Sequence, residues 1–243
     1  MNDLPVHIQV FVEPMFGENA LLVTASGRDG LVGWVVDPSF HPHADRLVEY
    51  ARQNEITVER ILLTHGHADH IAGTDIVHAA FPQAIVMISA ADEPMLRDAE
   101  LNLSAPFGLG ITLSAPVGQY LEPGIELRLG DVPWFVLDSS GHSPGGRSLY
   151  CPPTVAGTTA IGGSGAMGDS RTHSSNAGIL ITGDALFAGS IGRTDFPGSS
   201  HERLIANIRA NLLSLPGSTI VYCGHGLTTT IENERKSNPY LAE

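Results

Sequence analysis

The run Thr64-His65-Gly66-His67-Ala68-Asp69-His70 packs four potential metal-binding side chains into six residues. Neutral imidazole and carboxylate are the ligands that zinc, iron and manganese take. His65 and His67 are two apart, so in an extended chain they point the same way. Asp69 and His70 follow where the chain turns, and they can address a second point a few ångströms away. A lone histidine in a polar turn carries little information. A His-x-His-x-Asp-His cluster behind an apolar run is a metal-site motif that the rest of the chain must support.

The same punctuation recurs downstream. An apolar run ends, a glycine follows, and then a ligand-type residue: Gly141-His142, Gly183-Asp184, Gly224-His225. Ligands at several strand ends can converge on one edge of a sheet. Seven groups result: His65, His67, Asp69, His70, His142, Asp184 and His225. A single catalytic zinc takes three protein ligands and a water, so seven suit two divalent metals that share a carboxylate. Asp184 is the natural bridge, because its two oxygens can each bind one ion.

The elements that must hold these groups read mostly as strands. Apolar or alternating runs at 7–12, 20–24, 31–36, 60–64, 84–89, 125–129, 132–137, 147–150, 178–182 and 219–222 predict strands. Residues 26–30 predict a hairpin turn. Amphipathic periodicity predicts helices over 45–53 and 200–213, the latter capped by Ser199 or Ser200. A further helix is expected just after the first motif. The Pro/Gly/Ser-rich stretch 102–121 reads as a long functional loop. Residues 151–177 are mostly Gly, Ser, Thr, Ala and Pro and read as a mobile surface excursion. Gly162-Gly163-Ser164-Gly165 lacks the Gly-Lys-Ser/Thr ending of a phosphate loop and reads as flexible filler. His41, His43, His78, His173 and His201 stand alone and read as surface or loop histidines.

At 243 residues the chain can bury about 70–75% of the surface it exposes when unfolded. It needs no disulfides, and Cys151 and Cys223 read as small buried hydrophobes in a reducing compartment. Thirteen basic against 26 acidic residues give a net charge of −13, which disfavours a nucleic-acid partner. No secretory signal is visible at Met1-Asn2-Asp3-Leu4-Pro5. No apolar stretch reaches the ~18 residues of a membrane span. The expectation is a cytoplasmic protein with no membrane partner, built as one domain over 1–243 with an insertion at about 151–177.

Thr-His-x-His-x-Asp-His, followed by His142, Asp184 and His225 in this order, resembles the metallo-β-lactamase superfamily over nearly the whole chain. Within it, Gly141-His142-Ser143-Pro144-Gly145-Gly146, Gly183-Asp184-Ala185-Leu186-Phe187 and Gly192-Arg193-Thr194-Asp195-Phe196-Pro197-Gly198 resemble glyoxalase II, the hydroxyacylglutathione hydrolases, in their short single-domain bacterial form. The resemblance implies a four-layer α/β/β/α sandwich with the metal site at one edge of the two sheets. It implies that His65, His67 and His142 hold a first metal, that Asp69, His70 and His225 hold a second, and that Asp184 bridges them. The metals would be zinc, with iron or manganese as alternatives. The substrate would be a small thioester such as S-lactoylglutathione, with Asp69 and Asp184 at the chemistry and Arg193 reading a glutathione carboxylate. Related activities are an iron-dependent persulfide dioxygenase and a lactonase. A B3-type β-lactamase fits less well, because those enzymes usually lack the bridging aspartate, and a non-enzymatic binding protein conflicts with an intact ligand set.

Overall fold

A computed structural model describes residues 6–153, 160–164, 169–173 and 177–241. The first half runs β1 (His7–Val12), β2 (Asn19–Gly27), β3 (Gly30–Val36), α1 (His43–Gln53), β4 (Thr57–Leu62), α2 (Ala68–Ile71), α3 (Thr74–Ala80), β5 (Ile85–Ile88) and β6 (Val117–Tyr120). The second runs β7 (Glu126–Leu129), β8 (Val132–Asp138), β9 (Arg147–Cys151), β10 (Ala160–Ser164), β11 (Asp169–His173), β12 (Ile179–Gly183), β13 (Leu186–Phe187), β14 (Ser190–Ile191), α4 (His201–Asn207), β15 (Ile220–Cys223), β16 (Thr229–Thr230) and α5 (Ile231–Ser237). One sheet has the order β11-β10-β1-β2-β3-β4-β5-β6 and the other β16-β15-β12-β9-β8-β7.

Strand alternation builds the layers. Leu21 and Val23 of β2 face the second sheet and meet Trp134, Val136, Ile179 and Ile181 in a shared core. Trp34 and Trp134 touch across that core, with ring centroids 5.9 Å apart. The intervening residues Ala20 and Leu22 turn the other way and pack on Leu47, Val48 and Ala51 of α1 and Val77 of α3. In the second sheet Leu180 and Val221 face outward onto Leu204, Ile208 and Ile231. Helices on both outer faces of two stacked sheets make the α/β/β/α sandwich. No helix among the described residues is long and apolar enough to cross a membrane.

Local chemistry fixes the helix starts. The Ser200 side chain accepts from the Arg203 N–H, so Ser200 rather than Ser199 is the cap of α4, and Thr230 caps α5 through the Asn233 N–H. α4 continues through a π-helical turn at Ile208–Leu212. The expected long loop is shorter than the sequence implied: it contains a 3₁₀ turn at Ala105–Phe107 and ends in β6. His43 is buried at the start of α1 rather than on the surface.

The region 151–177 departs further from expectation. Residues 160–164 and 169–173 form an antiparallel pair, and β10 adds to the edge of β1 in parallel, with Ile8 opposite Gly162. Gly162, Gly163 and Ser164 are therefore strand residues, not filler. Edge addition uses backbone N–H and C=O groups, which every residue type but proline supplies in full, so a composition too polar for a core still makes strand. The other residues of this region, 154–159, 165–168 and 174–176, lie outside the described residues.

β1 is paired to β2 along its whole length, from His7↔Thr24 to Val12↔Asn19. Deleting 154–176 and joining the ends by a short turn should therefore leave cooperative urea unfolding intact. It should also raise self-association in sedimentation, because a strand edge is uncovered. Non-cooperative unfolding of the variant would show that this region is integral to the core.

Candidate metal centre

Parallel pairing gathers the site. β3 and β4 run in parallel with Val36 opposite Leu62, so Asp37 and the first motif leave adjacent strand ends. β12 and β15 run in parallel with Gly183 opposite Cys223, which sets Asp184 beside His225. The carboxyl ends of parallel strands are where open α/β sheets place ligands. His142 arrives from the connection between β8 and β9. The glycines preceding Asp184 and His225 have a steric cause. Gly183 has φ +49°, and a Cβ there would sit 2.3 Å from Thr64 Oγ1, while a Cβ on Gly224 would sit 2.3 Å from Asp184 Oδ1.

All seven residues singled out in the sequence come together. Potential ligand atoms of His65, His67 and His142 lie within 4.8 Å of one another, as do those of Asp69, His70 and His225. His67 Nδ1 is 2.9 Å from His142 Nε2, and His70 Nε2 is 3.3 Å from His225 Nε2. Asp184 lies between the two groups. Its Oδ1 is 3.3 Å from His70 Nε2, and its Oδ2 is 3.5 Å from His142 Nε2 and 3.4 Å from His225 Nε2. Asp69 Oδ2 is 3.4 Å from His225 Nε2.

The electrostatics fit divalent cations. Burial, reinforced by the neighbouring imidazoles, holds His65 well below its ordinary value and His67 at about 3, so both are neutral and ready to donate a lone pair. Burial opposes charge on Asp184, but His70 and His225 outweigh it and keep the carboxyl well below its usual range. Burial likewise opposes charge on His225, but hydrogen bonds to Asp184 and Asp69 prevail and push it up to about 10. Protonation of His225 balances the carboxylates where a bound metal ion would otherwise do so. His65 Nε2 is buried with no hydrogen-bond partner, which is expensive unless a metal takes its lone pair.

A second set of residues aims the first. Asp37 accepts from the Thr64 N–H at 2.8 Å and the Thr64 hydroxyl at 2.6 Å, and its Oδ2 lies 2.9 Å from His70 Nδ1. Thr64 Oγ1 is 3.1 Å from His65 Nδ1. His142 Nδ1 lies 2.7 Å from the Arg193 carbonyl and His225 Nδ1 3.0 Å from the Phe16 carbonyl. Such partners fix ring orientation and tautomer. Asp92 ties two ligand loops together, accepting from Gly145 N, the Ser143 hydroxyl and Gly66 N. Asn19 donates to the Cys223 and Gly226 carbonyls and clamps the turn that carries His225. Sequence reading missed Asp37, Asp92 and Asn19. For Asp37 the available signal is a carboxylate directly after the apolar run that forms β3.

Arg193 lines the cavity in front of the cluster. Its guanidinium is engaged: Nε and Nη2 donate to the two carboxylate oxygens of Asp195 at 2.7 and 2.6 Å, and the group stacks 4.3 Å from the centre of the Phe196 ring. Cys223 packs in the outer core rather than facing the cluster, and burial raises its thiol to about 12.

Replacing Asp37 by alanine leaves the Thr64 donors and the His70 ring without their buried partner. Metal titration should show about 10–100-fold weaker binding, and urea unfolding of the metal-free protein a loss of about 1–3 kcal/mol. Unchanged metal affinity would remove Asp37 from the support of the centre.

Comparison with known proteins agrees with this geometry. Residues 14–225 match the model of the metallo-β-lactamase superfamily. A probable metallo-hydrolase of Bacillus subtilis, YqgX, is 33% identical over 208 residues, covering 85% of this chain and 86% of that protein. The hydroxyacylglutathione hydrolase GloC of Haemophilus influenzae is 29% identical over 97% of this chain and 98% of its own. Among solved structures, the BLEG-1 B3 metallo-β-lactamase superposes with TM-score 0.78 at 31% identity, covering 96% of this chain and 98% of that one. TTHA1623 in a di-iron-bound form gives 0.72 at 32% identity, covering 95% and 98%. Fold, ligand spacing and family match coincide, and the chain belongs to the metallo-β-lactamase superfamily.

Proposed function

We propose that this metallo-hydrolase cleaves thioesters in the manner of a glyoxalase II, with S-lactoylglutathione or a related acyl-thiol as substrate. The observation that carries the reading is the position of Asp184, whose two oxygens reach toward both histidine groups. This favours a two-metal centre with a shared carboxylate, and the likeness to GloC favours a thioester. His65, His67 and His142 would hold one ion and Asp69, His70 and His225 the other. Zinc suits the ligands, and the di-iron form of TTHA1623 keeps iron in view. When bound, the ions lower the pKa of water and polarise the substrate carbonyl.

The chain's own groups do the remaining work. Asp69, 21% exposed beside His225, can accept a hydrogen bond from the attacking water and orient it. The cavity of ≈ 450 Å³ in front of the cluster is of a size that encloses a small molecule. A thiolate leaves readily, so the arrangement needs no strong general acid. Two unpaired buried cysteines suit a cytoplasmic setting.

Likeness to BLEG-1 favours a second reading, hydrolysis of a β-lactam amide by the same centre. Metal analysis and a panel of S-lactoylglutathione, simple thioesters and a penicillin test both. Thioester turnover should be abolished by chelation, restored by a divalent metal, and proceed without oxygen uptake. Asp184→Asn should lower turnover by about 10²-fold or more with the fold kept, since an amide bridges poorly. Turnover of the penicillin alone would favour the lactam, and oxygen uptake on adding a glutathione persulfide would favour the dioxygenase chemistry.

Arg193 has two possible duties, binding a substrate carboxylate or bracing its loop against Asp195. The existing pair supports bracing. Arg193→Ala should then slow a glutathione thioester and a carboxylate-free thioester alike, by up to about fivefold, the size of an exposed ion pair. A loss confined to the glutathione thioester would restore the clamp.

A further inference from the structure

The cavity walls are aromatic to a degree that the metal chemistry does not require. Phe16 stacks on Phe40 with centroids 5.5 Å apart, and Phe107 meets Phe16 edge to face at 5.7 Å. Across the cavity, Phe196 packs 5.3 Å from the His67 ring and Phe187 6.0 Å from the His225 ring. All five phenylalanines line the same space as His67, Asp69 and Asp184.

Phe107 is the informative one. It is 65% exposed, and it sits on the 3₁₀ turn Ala105–Phe107. That turn belongs to a loop pinned from below. The buried Asn102 amide donates to the Met95 and Ile111 carbonyls, and the Asn102 carbonyl accepts from the Ala68 N–H inside the metal motif. The loop therefore holds an uncovered aromatic ring at a fixed place beside the centre. Leu109 on the same loop also lines the cavity and is also exposed. Fixed, exposed apolar surface lining a cavity marks a ligand site.

Charge gives the complementary half. Among the described residues lining the cavity, Arg193 is the only lysine or arginine, and Asp195 already occupies it in a two-point pair. The whole sequence holds a single lysine, Lys236, which pairs with Glu232 on α5. Away from the metal ligands, a substrate with several carboxylates would find no unpaired lysine or arginine among the described lining residues, while a neutral apolar group would find an aromatic slot.

We infer that the site selects thioesters carrying a bulky apolar group, aromatic or at least four carbons long, and that it gains nothing from anionic groups on the thiol carrier. The inference rests on the thioester reading above and moves the preferred substrate within that class from S-lactoylglutathione, whose acyl group is small and hydroxylated, to thioesters with larger apolar groups. Both halves are testable with uncleavable thioethers: S-methyl and S-benzyl derivatives of glutathione and of the neutral thiol N-acetylcysteamine. Their binding to the metal-loaded enzyme is measured by calorimetry, beside turnover of the matching acetyl and phenylacetyl thioesters.

Benzyl should outbind methyl by tenfold or more on either carrier, given about fourfold per buried methylene. The two carriers should agree within about threefold. Phe107→Ser should erase most of the benzyl gain at unchanged metal content, because the ring it removes is exposed. Equal binding of methyl and benzyl, or a tenfold preference for the glutathione carrier, overturns the inference. If the thioethers bind as expected but no thioester is cleaved, the apolar site stands and the hydrolase reading falls. If S-lactoylglutathione is cleaved and the apolar group adds nothing, the hydrolase reading stands and the aromatic slot is not a recognition site.

Discussion

The crowding of imidazole lone pairs and carboxylates in one water-poor space constrains everything around it. The rings of His65 and His70 lie 4.1 Å apart and those of His65 and His67 4.7 Å apart. Left alone, such an arrangement is costly, since each buried nitrogen needs a partner and the carboxylates repel one another. Two divalent cations would relieve it, and in their absence the carboxylates of Asp184 and Asp69 hold protons on His70 and His225. The fold serves to keep these groups together against that cost. Two sheets supply strand ends aimed at one edge, and the three apolar layers fix where those ends lie.

The same constraint explains the second ring of polar residues. An imidazole presents the correct nitrogen to a metal only if its other nitrogen is held. Asp37 does this for His70, the Arg193 carbonyl for His142 and the Phe16 carbonyl for His225. Two of those three anchors are backbone carbonyls on loops that also build the cavity. The Phe16 loop and the Arg193–Phe196 loop thus connect ligand orientation to substrate surface. Changes in either loop should reach both functions, which is why Phe107, 65% exposed and holding no ligand nitrogen through its backbone, is the cleaner probe of recognition.

How far the sequence reveals this depends on whether the signal is local. His65, His67, Asp69 and His70 announce themselves by clustering behind one apolar run, and His142, Asp184 and His225 by following a glycine near the end of another, with Gly183 and Gly224 there for steric reasons local to the site. The near-continuous apolar runs of β2 and β12 likewise point to strands covered on both faces. Asp37, Asp92 and Asn19 give no such sign. Asp37 meets Thr64 across 27 residues, Asp92 meets Gly145 across 53, and Asn19 meets Cys223 across 204. Their roles come from three-dimensional pairing alone. The aromatic walls are hidden for the same reason, being single phenylalanines from separate loops. β10 and β11 were missed because edge strands draw on backbone bonding, which composition does not record.

The central claim is that the seven residues hold two metal ions and that Asp184 joins them. Anomalous diffraction from crystals of the zinc-loaded protein measures this directly. Two peaks about 3.5–4 Å apart, one among His65, His67 and His142 and the other among Asp69, His70 and His225, with Asp184 contacting both, is the predicted result. A single peak at full zinc occupancy, or two peaks with Asp184 bound to neither, would contradict the account.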